Sequence, residues 1–406
     1  MLLLYLSLLF LIFIILIYKI AKFICYLIIK FMDYDVIIIG AGVVGLACSV
    51  RIAQTQLRTL VIERHPSFGY ETSSRNSEVV HAGIYYPNNS LKAKLCVAGN
   101  KSIYKWAEMH DVAFKRMGKY IIATDSYEDE QLEKILENAK TNGVENIYRK
   151  SLEEIKRDEP NLKAIGAIWS GTSGIIDSHA LMKSFQTEAS RNGCDFAYNH
   201  EVVAIEFKSN CYELTIKLPD SSYFTVTSKW IVNSAGLDAD RIAEMAGIDI
   251  EKAKYRLHYC KGHYFRVASS KIDLVRHLIY PAPPKDMTSL GIHITLDLNG
   301  EMKLGPDTEY LDSRVQDYSV PQNLNEKFYR AVTRYLIGLN IEDISPDQAG
   351  IRPKLQAEGE AVRDFVICEE SGKNLPFLIN LIGIESPGLT SCLEIADLVA
   401  NIINSY

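Results

Sequence analysis

No two of the eight cysteines stand at C-x-x-C spacing, so neither a zinc site nor a redox pair is expected, and no metal is assigned. They are dispersed, at Cys25, Cys48, Cys96, Cys194, Cys211, Cys260, Cys368 and Cys392, and in a long chain that dispersion reads as reduced, buried thiols. Excess positive charge is missing as well. A formal net charge of -6 provides no electrostatic footprint for nucleic acid. Internal repeats are absent, and the body of the chain has no long hydrophobic run. What remains is a chain of 406 residues, 48% hydrophobic, which exceeds one small core and fits two or three lobes.

The one long apolar run is N-terminal. "MLLLYLSLLFLIFIILIY" is almost purely apolar from Leu2 to Tyr18, and "AKFICYLIIKF" continues it with only Lys19, Lys22 and Lys30 as cations. A bilayer is spanned by roughly 20 apolar residues. The run has no basic segment before it, no small-x-small cleavage site after it and no arginine. It therefore reads as a retained transmembrane anchor over residues 1–31 rather than a signal or transit peptide. The late lysines place a single-pass body on the cytoplasmic side, with a mitochondrial membrane as the alternative setting.

"YDVIIIG" is a β-branched run of the kind a buried parallel strand needs, "AGVVGLACSVRIAQ" has helical spacing, and "TLVIER" is a second buried strand. Within this βαβ unit "GAGVVG" supplies Gly40, Gly42 and Gly45, and Glu63 ends the next strand. Strand, glycine turn, helix and acid at this spacing form the full dinucleotide fingerprint. Gly40 permits the tight turn, Gly42 lets the backbone approach a pyrophosphate, and Gly45 lets helix and strand pack. The helix N-terminus offers free N–H groups to the anion, and Glu63 can accept ribose hydroxyls.

FAD and NAD share this cradle. An NAD enzyme would continue with regular βα units, whereas this chain breaks into a polar loop carrying "SSRNS". It returns through "WIVNSAGLDADRIAEMAG" and again through "LIGIESPGLTSCLEIADLVANII". Three separated returns to one cofactor point to FAD. The last glycine-rich turn can aim N–H groups where negative charge develops on the reduced ring. Expected cofactor contacts are Gly40, Gly42, Gly45, Glu63, Arg64, Ser74, Arg75, Asn76, Ser77, Ala235, Gly236, Ser386, Gly388, Leu389 and Thr390. Between these returns, residues 201–236 read as a small antiparallel meander, and "KGHYFRV", "HLIYP", "GIHITLDL" and "EMKLGPD" as strands of a second sheet.

The motifs "SSRNSEVVHAGIYYP", "LKAKLC", "SGIIDSHAL", "VNSAGLDADRIA", "KGHYFRV", "LIYPAP", "LGIHITLDLNGEMKLGPD", "AGIRPKL" and "NLIGIESPGLTSCLEIADLV" run from Asp35 to the C-terminus. The chain resembles the FAD-dependent oxidoreductases of the D-amino-acid oxidase and glycerol-3-phosphate dehydrogenase group. Within that group it is similar to the L-2-hydroxyglutarate dehydrogenase/oxidase family, and only the N-terminal run lies outside the likeness. The resemblance implies an α/β fold: a Rossmann-type FAD-binding lobe with a second, α+β substrate lobe on a mostly antiparallel sheet, preceded here by the transmembrane helix. The FAD lobe would take residues 33–79, 168–248 and 346–406, and the substrate lobe 80–167 and 249–345. It also implies non-covalent FAD and oxidation of L-2-hydroxyglutarate to 2-oxoglutarate. A quinone, an electron-transfer flavoprotein and dioxygen are the acceptors compatible with that chemistry. The alternative activities are an amine oxidase acting on a D-amino acid or sarcosine-like compound, and a tethered flavin scaffold without turnover.

Oxidising a 2-hydroxy acid sends a hydride from C2 to the flavin and the hydroxyl proton to a base. A neutral imidazole suits the second task near pH 7. His81, just after the cofactor loop, is the expected base, with His293 on a substrate-lobe strand as its rival. His263 is given no role. The substrate's two carboxylates need cations. In related flavoenzymes the G-x-R-P arginine clamps the substrate carboxylate, and Arg352 stands in that motif; its planar fork suits a carboxylate. Lys261 is expected at the distal carboxylate, and Tyr85 along the pocket wall.

Overall fold

The computed structural model describes residues 13–19, 32–283 and 291–406. The expected anchor over 1–31 therefore lies mostly outside the described residues. The part described, 13–19, is helical and exposed. Among the described residues no helix is long and apolar enough to cross a membrane, and the expected transmembrane helix falls mostly on residues outside them.

Strand Tyr34–Ile39 is apolar on both faces because both are covered. Val36 and Ile38 pack into one core with helix Val43–Ala53, and Ile37 and Ile39 into another on the opposite face. It pairs in parallel with Thr59–Glu63 and with Tyr223–Asn233. Asp195–Tyr198 and Leu375–Ile382 extend the parallel layer at either end. Antiparallel strands complete an eight-stranded sheet. The meander expected over 201–236 is present, ending at Asn233, but it is not separate. Strand Tyr223–Asn233 pairs antiparallel with Cys211–Lys217 along its first half and parallel with Tyr34–Ile39 from Ser228 onward, so one long strand serves both layers.

The second sheet has nine strands, antiparallel except where Lys119–Ala123 runs beside Leu278–Pro281. Strands Gly166–Ser170 and Ile344–Lys354 both pair within it, so the boundaries expected at 168 and 346 fall inside its strands. Ile344–Lys354 lies antiparallel to His258–Val267, with Cys260 opposite Arg352. A third sheet joins the lobes through short strands Val79–Val80, Phe114–Lys115 and Gly174–Ile176. Val80 packs in the core of the first sheet and Val79 in that of the second, which sets His81 at the seam. The seven described cysteines are all free, five of them buried.

Candidate active site

The cradle is built from the glycines outward. Gly40 sits at φ +104°, a left-handed conformation that favours glycine. At Gly45 a Cβ would lie 2.0 Å from the Gly40 carbonyl oxygen, so helix and turn touch through bare backbone. Gly42 differs: a Cβ there would meet only Ser73 Oγ, at 3.1 Å, so this glycine keeps the space before the helix N-terminus open. Glu63 is pinned at the end of its strand. Its Oε2 accepts the Ala41 N–H at 2.9 Å and its Oε1 the His65 N–H at 2.9 Å, which leaves further lone pairs for a ligand.

A recess of about 130 Å³ is lined by Gly40, Glu63, Arg64, Tyr70 and Ala235. It shares Gly42, Thr72, Ser73, Ser234 and Gly236 with a cavity of about 780 Å³. That cavity is also lined by Arg75, Asn76, Ser77, Ser386, Gly388 and Leu389, and by His81, Tyr85, His293 and Arg352. Nearly all the expected residues thus face one continuous groove, and Gly45 packs behind it. Arg64 is tied to Glu71 and, at 2.7 Å, to Asp238. Asn76 holds the loop together, donating to Ser73 O at 2.7 Å and accepting from the Glu78 N–H at 2.7 Å.

Three expected contacts are corrected. Ser74 turns away from the groove and donates to the Gly69 carbonyl. Its neighbour Ser73 lines the groove instead and accepts the Val43 N–H at 3.0 Å, because a tight 3₁₀ turn over Thr72–Ser74 presents one serine at a time. Thr390 lies behind the wall, where its Oγ1 accepts the His81 N–H at 3.0 Å; it positions the histidine. Lys261 faces the other side of its strand. The strand alternates, Gly262 and Tyr264 line the cavity, and the Lys261 ammonium is spent on Asp317 at 2.8 Å.

His81 is anchored through its backbone. Besides the Thr390 contact, its carbonyl accepts from Asn100 Nδ2 at 3.0 Å. The ring is left to the cavity, with Nε2 3.3 Å from Ser386 Oγ. Burial pushes its pKa down, and the charges of Lys119 and His293 push the same way, to about 3. Lys119 was not anticipated. It is 1% exposed, and its ammonium sits 4.4 Å from the centre of the Tyr280 ring and 5.3 Å from that of Tyr85. Among the described residues it has neither a hydrogen bond nor an ion pair. Burial, partly offset by Cys96, draws its pKa down to about 8. His293 stacks on Tyr280, ring centres 3.7 Å apart. The Tyr85 hydroxyl is buried without a hydrogen-bond partner among the described residues.

Arg352 is held by main-chain carbonyls. Nε donates to Cys260 O at 3.3 Å, and Nη2 to Lys261 O at 3.1 Å and Asp307 O at 2.8 Å. Gly262 lies beneath it, where a Cβ would stand 2.8 Å from Pro306 Cβ and 3.2 Å from Nη2. Among the described residues the free donor edge is Nη1, so a carboxylate would meet one open nitrogen rather than an empty fork. Lys92, Lys354 and Glu385 line the same cavity. Both ammoniums bind the one carboxylate, Lys92 at 3.1 Å and Lys354 at 3.0 Å.

The groove fits a dinucleotide. The open helix N-terminus suits a pyrophosphate, Glu63 suits ribose hydroxyls, and Arg75 has a buried Nε with no partner among the described residues. Gly42→Val is expected to fold yet purify without the yellow chromophore, because the side chain would fill the space kept open before Val43. Visible absorbance relative to protein is the check, and full cofactor content would reject the placement.

The FAD-dependent oxidoreductase family model matches residues 35–402. A curated relative, "L-2-hydroxyglutarate dehydrogenase, mitochondrial" from Arabidopsis thaliana, is 38% identical over 90% of this chain and 83% of its own length. The Caenorhabditis elegans protein of the same name is 30% identical, over 91% and 92% respectively. Among solved structures, the L-alpha-glycerophosphate oxidase of Mycoplasma pneumoniae with FAD bound superposes with a TM-score of 0.81 at 25% identity, covering 91% of this chain and 94% of that one. With the glycine cradle and the groove before it, these likenesses make the chain a member of the FAD-dependent oxidoreductase family and, within it, of the L-2-hydroxyglutarate dehydrogenases.

Proposed function

We propose that this protein oxidises L-2-hydroxyglutarate to 2-oxoglutarate with FAD. The observation that carries the reading is a single cavity, continuous with the dinucleotide groove, lined by both the His81 imidazole and a carbonyl-anchored arginine. Bound FAD supplies the hydride acceptor. Arg352 takes the C1 carboxylate through its open edge and so orients C2. His81 takes the hydroxyl proton at Nε2. Its low pKa keeps the ring free to accept at neutral pH, and the incoming dianion offsets the Lys119 charge, which raises the ring's proton affinity as the proton moves. His293, stacked on Tyr280, flanks the reacting carbon. The first sheet and its helices are read as the FAD lobe. The nine-stranded sheet is the substrate lobe, with strands 166–170 and 344–354 assigned to it.

Anaerobic titration with L- and D-2-hydroxyglutarate side by side tests the reading. The L-acid should bleach the flavin and the D-acid should not; a flavin left oxidised by both would overturn it.

Lys119→Met is expected to move the acid limb of the flavin-reduction rate to higher pH. The base works unprotonated, so activity falls as pH drops through its pKa, and removing a neighbouring cation raises that pKa. Burial, the larger cause, persists, so the limb should stop short of the ordinary histidine value of about 6.5. An unmoved limb in the pH profile would detach Lys119 from His81.

The Arabidopsis and nematode relatives are named as mitochondrial, which favours a mitochondrial setting over the cytoplasmic one. The apolar run over 1–31 would be the tether to its membrane. Carbonate washing should then leave the full-length chain in the membrane pellet, and its release would dismiss the tether.

A further inference from the structure

We infer that Lys354, locked with Lys92 onto Glu385, is the second anion site of the cavity and receives the substrate carboxylate farther from the reacting carbon. The inference rests on the reading of the substrate as a 2-hydroxy diacid. It makes selection for a diacid over a monoacid the work of this cluster.

Charge is the first argument. Arg352, Lys92 and Lys354 are three cations on the cavity wall, and Glu385 is the one buried anion among them. Lys92 is 3% exposed and Glu385 8%. Burial pushes the Glu385 carboxyl up, but Lys92, Lys354 and Arg352 outweigh that and hold it below the usual carboxylate range. The four groups therefore interact as one cluster with two positive charges in excess. The other carboxylates on the wall, Glu358 and Glu360, are exposed, where water screens them. Lys92 and Glu385 are buried while Arg352 and Lys354 are only partly so, so the excess sits at the cavity face. Partly desolvated charge is stabilised when an opposite charge meets it, and a 2-hydroxy diacid brings two negative charges.

Spacing is the second. Arg352 and Lys354 stand two apart on strand Ile344–Lys354, so their side chains leave the same face, with Cα atoms about 6.7 Å apart. The terminal carbons of an extended five-carbon diacid lie about 5 Å apart, so one molecule can reach both cations.

Donor count is the third. The Lys354 ammonium contacts Glu385 Oε1 at 3.2 Å and Oε2 at 3.0 Å, and an ammonium has three N–H groups. At least one remains for a ligand, on a side chain already fixed in place. Glu385 also immediately precedes Ser386, whose hydroxyl is 3.3 Å from His81 Nε2. The cluster is thus tied to the turn that meets the imidazole.

The test compares kcat/KM of the holoenzyme for L-2-hydroxyglutarate and for L-2-hydroxypentanoate, which has the same chain length and a methyl group in place of the distal carboxylate. Lys354→Met is expected to reduce the ratio of the two by about thirtyfold or more, the effect of truncating one side of a buried charge pair. Lys354→Arg should restore part of it. Should Lys354→Met lose its FAD, Lys354→Gln is read in the same way. A wild-type enzyme that prefers the diacid, with a Lys354 variant that keeps the whole preference or loses both substrates equally, would overturn the inference alone. A wild-type enzyme with no preference for the diacid would overturn the reading of the substrate, and the inference with it.

Discussion

His81→Ala is expected to keep its FAD and to lose flavin reduction by L-2-hydroxyglutarate about 10²- to 10⁴-fold, the usual contribution of a positioned general base. Retention of the cofactor follows from what the side chain touches. The segment is held by its backbone, through Thr390 Oγ1 and Asn100 Nδ2. Among the described residues the ring itself makes one polar contact, at 3.3 Å to Ser386. Truncation therefore removes the proposed proton acceptor and leaves its platform standing. The loss should fall on the reductive half-reaction in stopped flow, because reoxidation does not involve the substrate hydroxyl. Unchanged reduction in His81→Ala, with reduction abolished in His293→Ala, would transfer the role to His293.

Arg352→Met is expected to weaken 2-hydroxyglutarate binding by about 2–5 kcal/mol, the range for removing one partner of a buried, hydrogen-bonded charge pair. Two costs combine. The substrate carboxylate loses its partner, and the carbonyls of Cys260, Lys261 and Asp307 lose the donor that now satisfies them. Arg352→Lys keeps the charge but cannot donate to three carbonyls and a ligand from one nitrogen while holding the same plane, so it should recover only part. The apparent dissociation constant, from the substrate dependence of flavin reduction, is the measurement. An affinity unchanged in Arg352→Met would place the residue outside the substrate site.

The cradle was legible because everything it needs lies within one short stretch. Gly40, Gly42 and Gly45 are required by a turn, an open space and a contact that belong to consecutive elements, and Glu63 ends the very next strand. Local backbone geometry decides where all four sit. Arg352 stood out for a related reason: its motif lies on one strand, and the likeness to known flavoenzymes supplied the task proposed for it. Two signals were present and unread. Lys119 begins "KYIIA", a run buried throughout, so its amine had to be buried with it. Lys354 follows Arg352 at the interval of two that shares a strand face.

By itself, then, the sequence determined the dinucleotide cradle, the strand and helix order and the candidate cations and imidazoles, because these follow from contacts between near neighbours in the chain. Only the tertiary structure decided which of those groups meet. Lys261 was the expected anion partner, yet pairing Cys260 with Arg352 across two strands turns the adjacent Gly262 under the guanidinium and Lys261 out to Asp317. Thr390 reaches His81 from a distant helix, and the phase of a three-residue turn selects Ser73 over Ser74. A strand's faces are set by the register it shares with a partner far away in the chain, and shifting that register by one residue exchanges them; no property of the strand alone can choose between them.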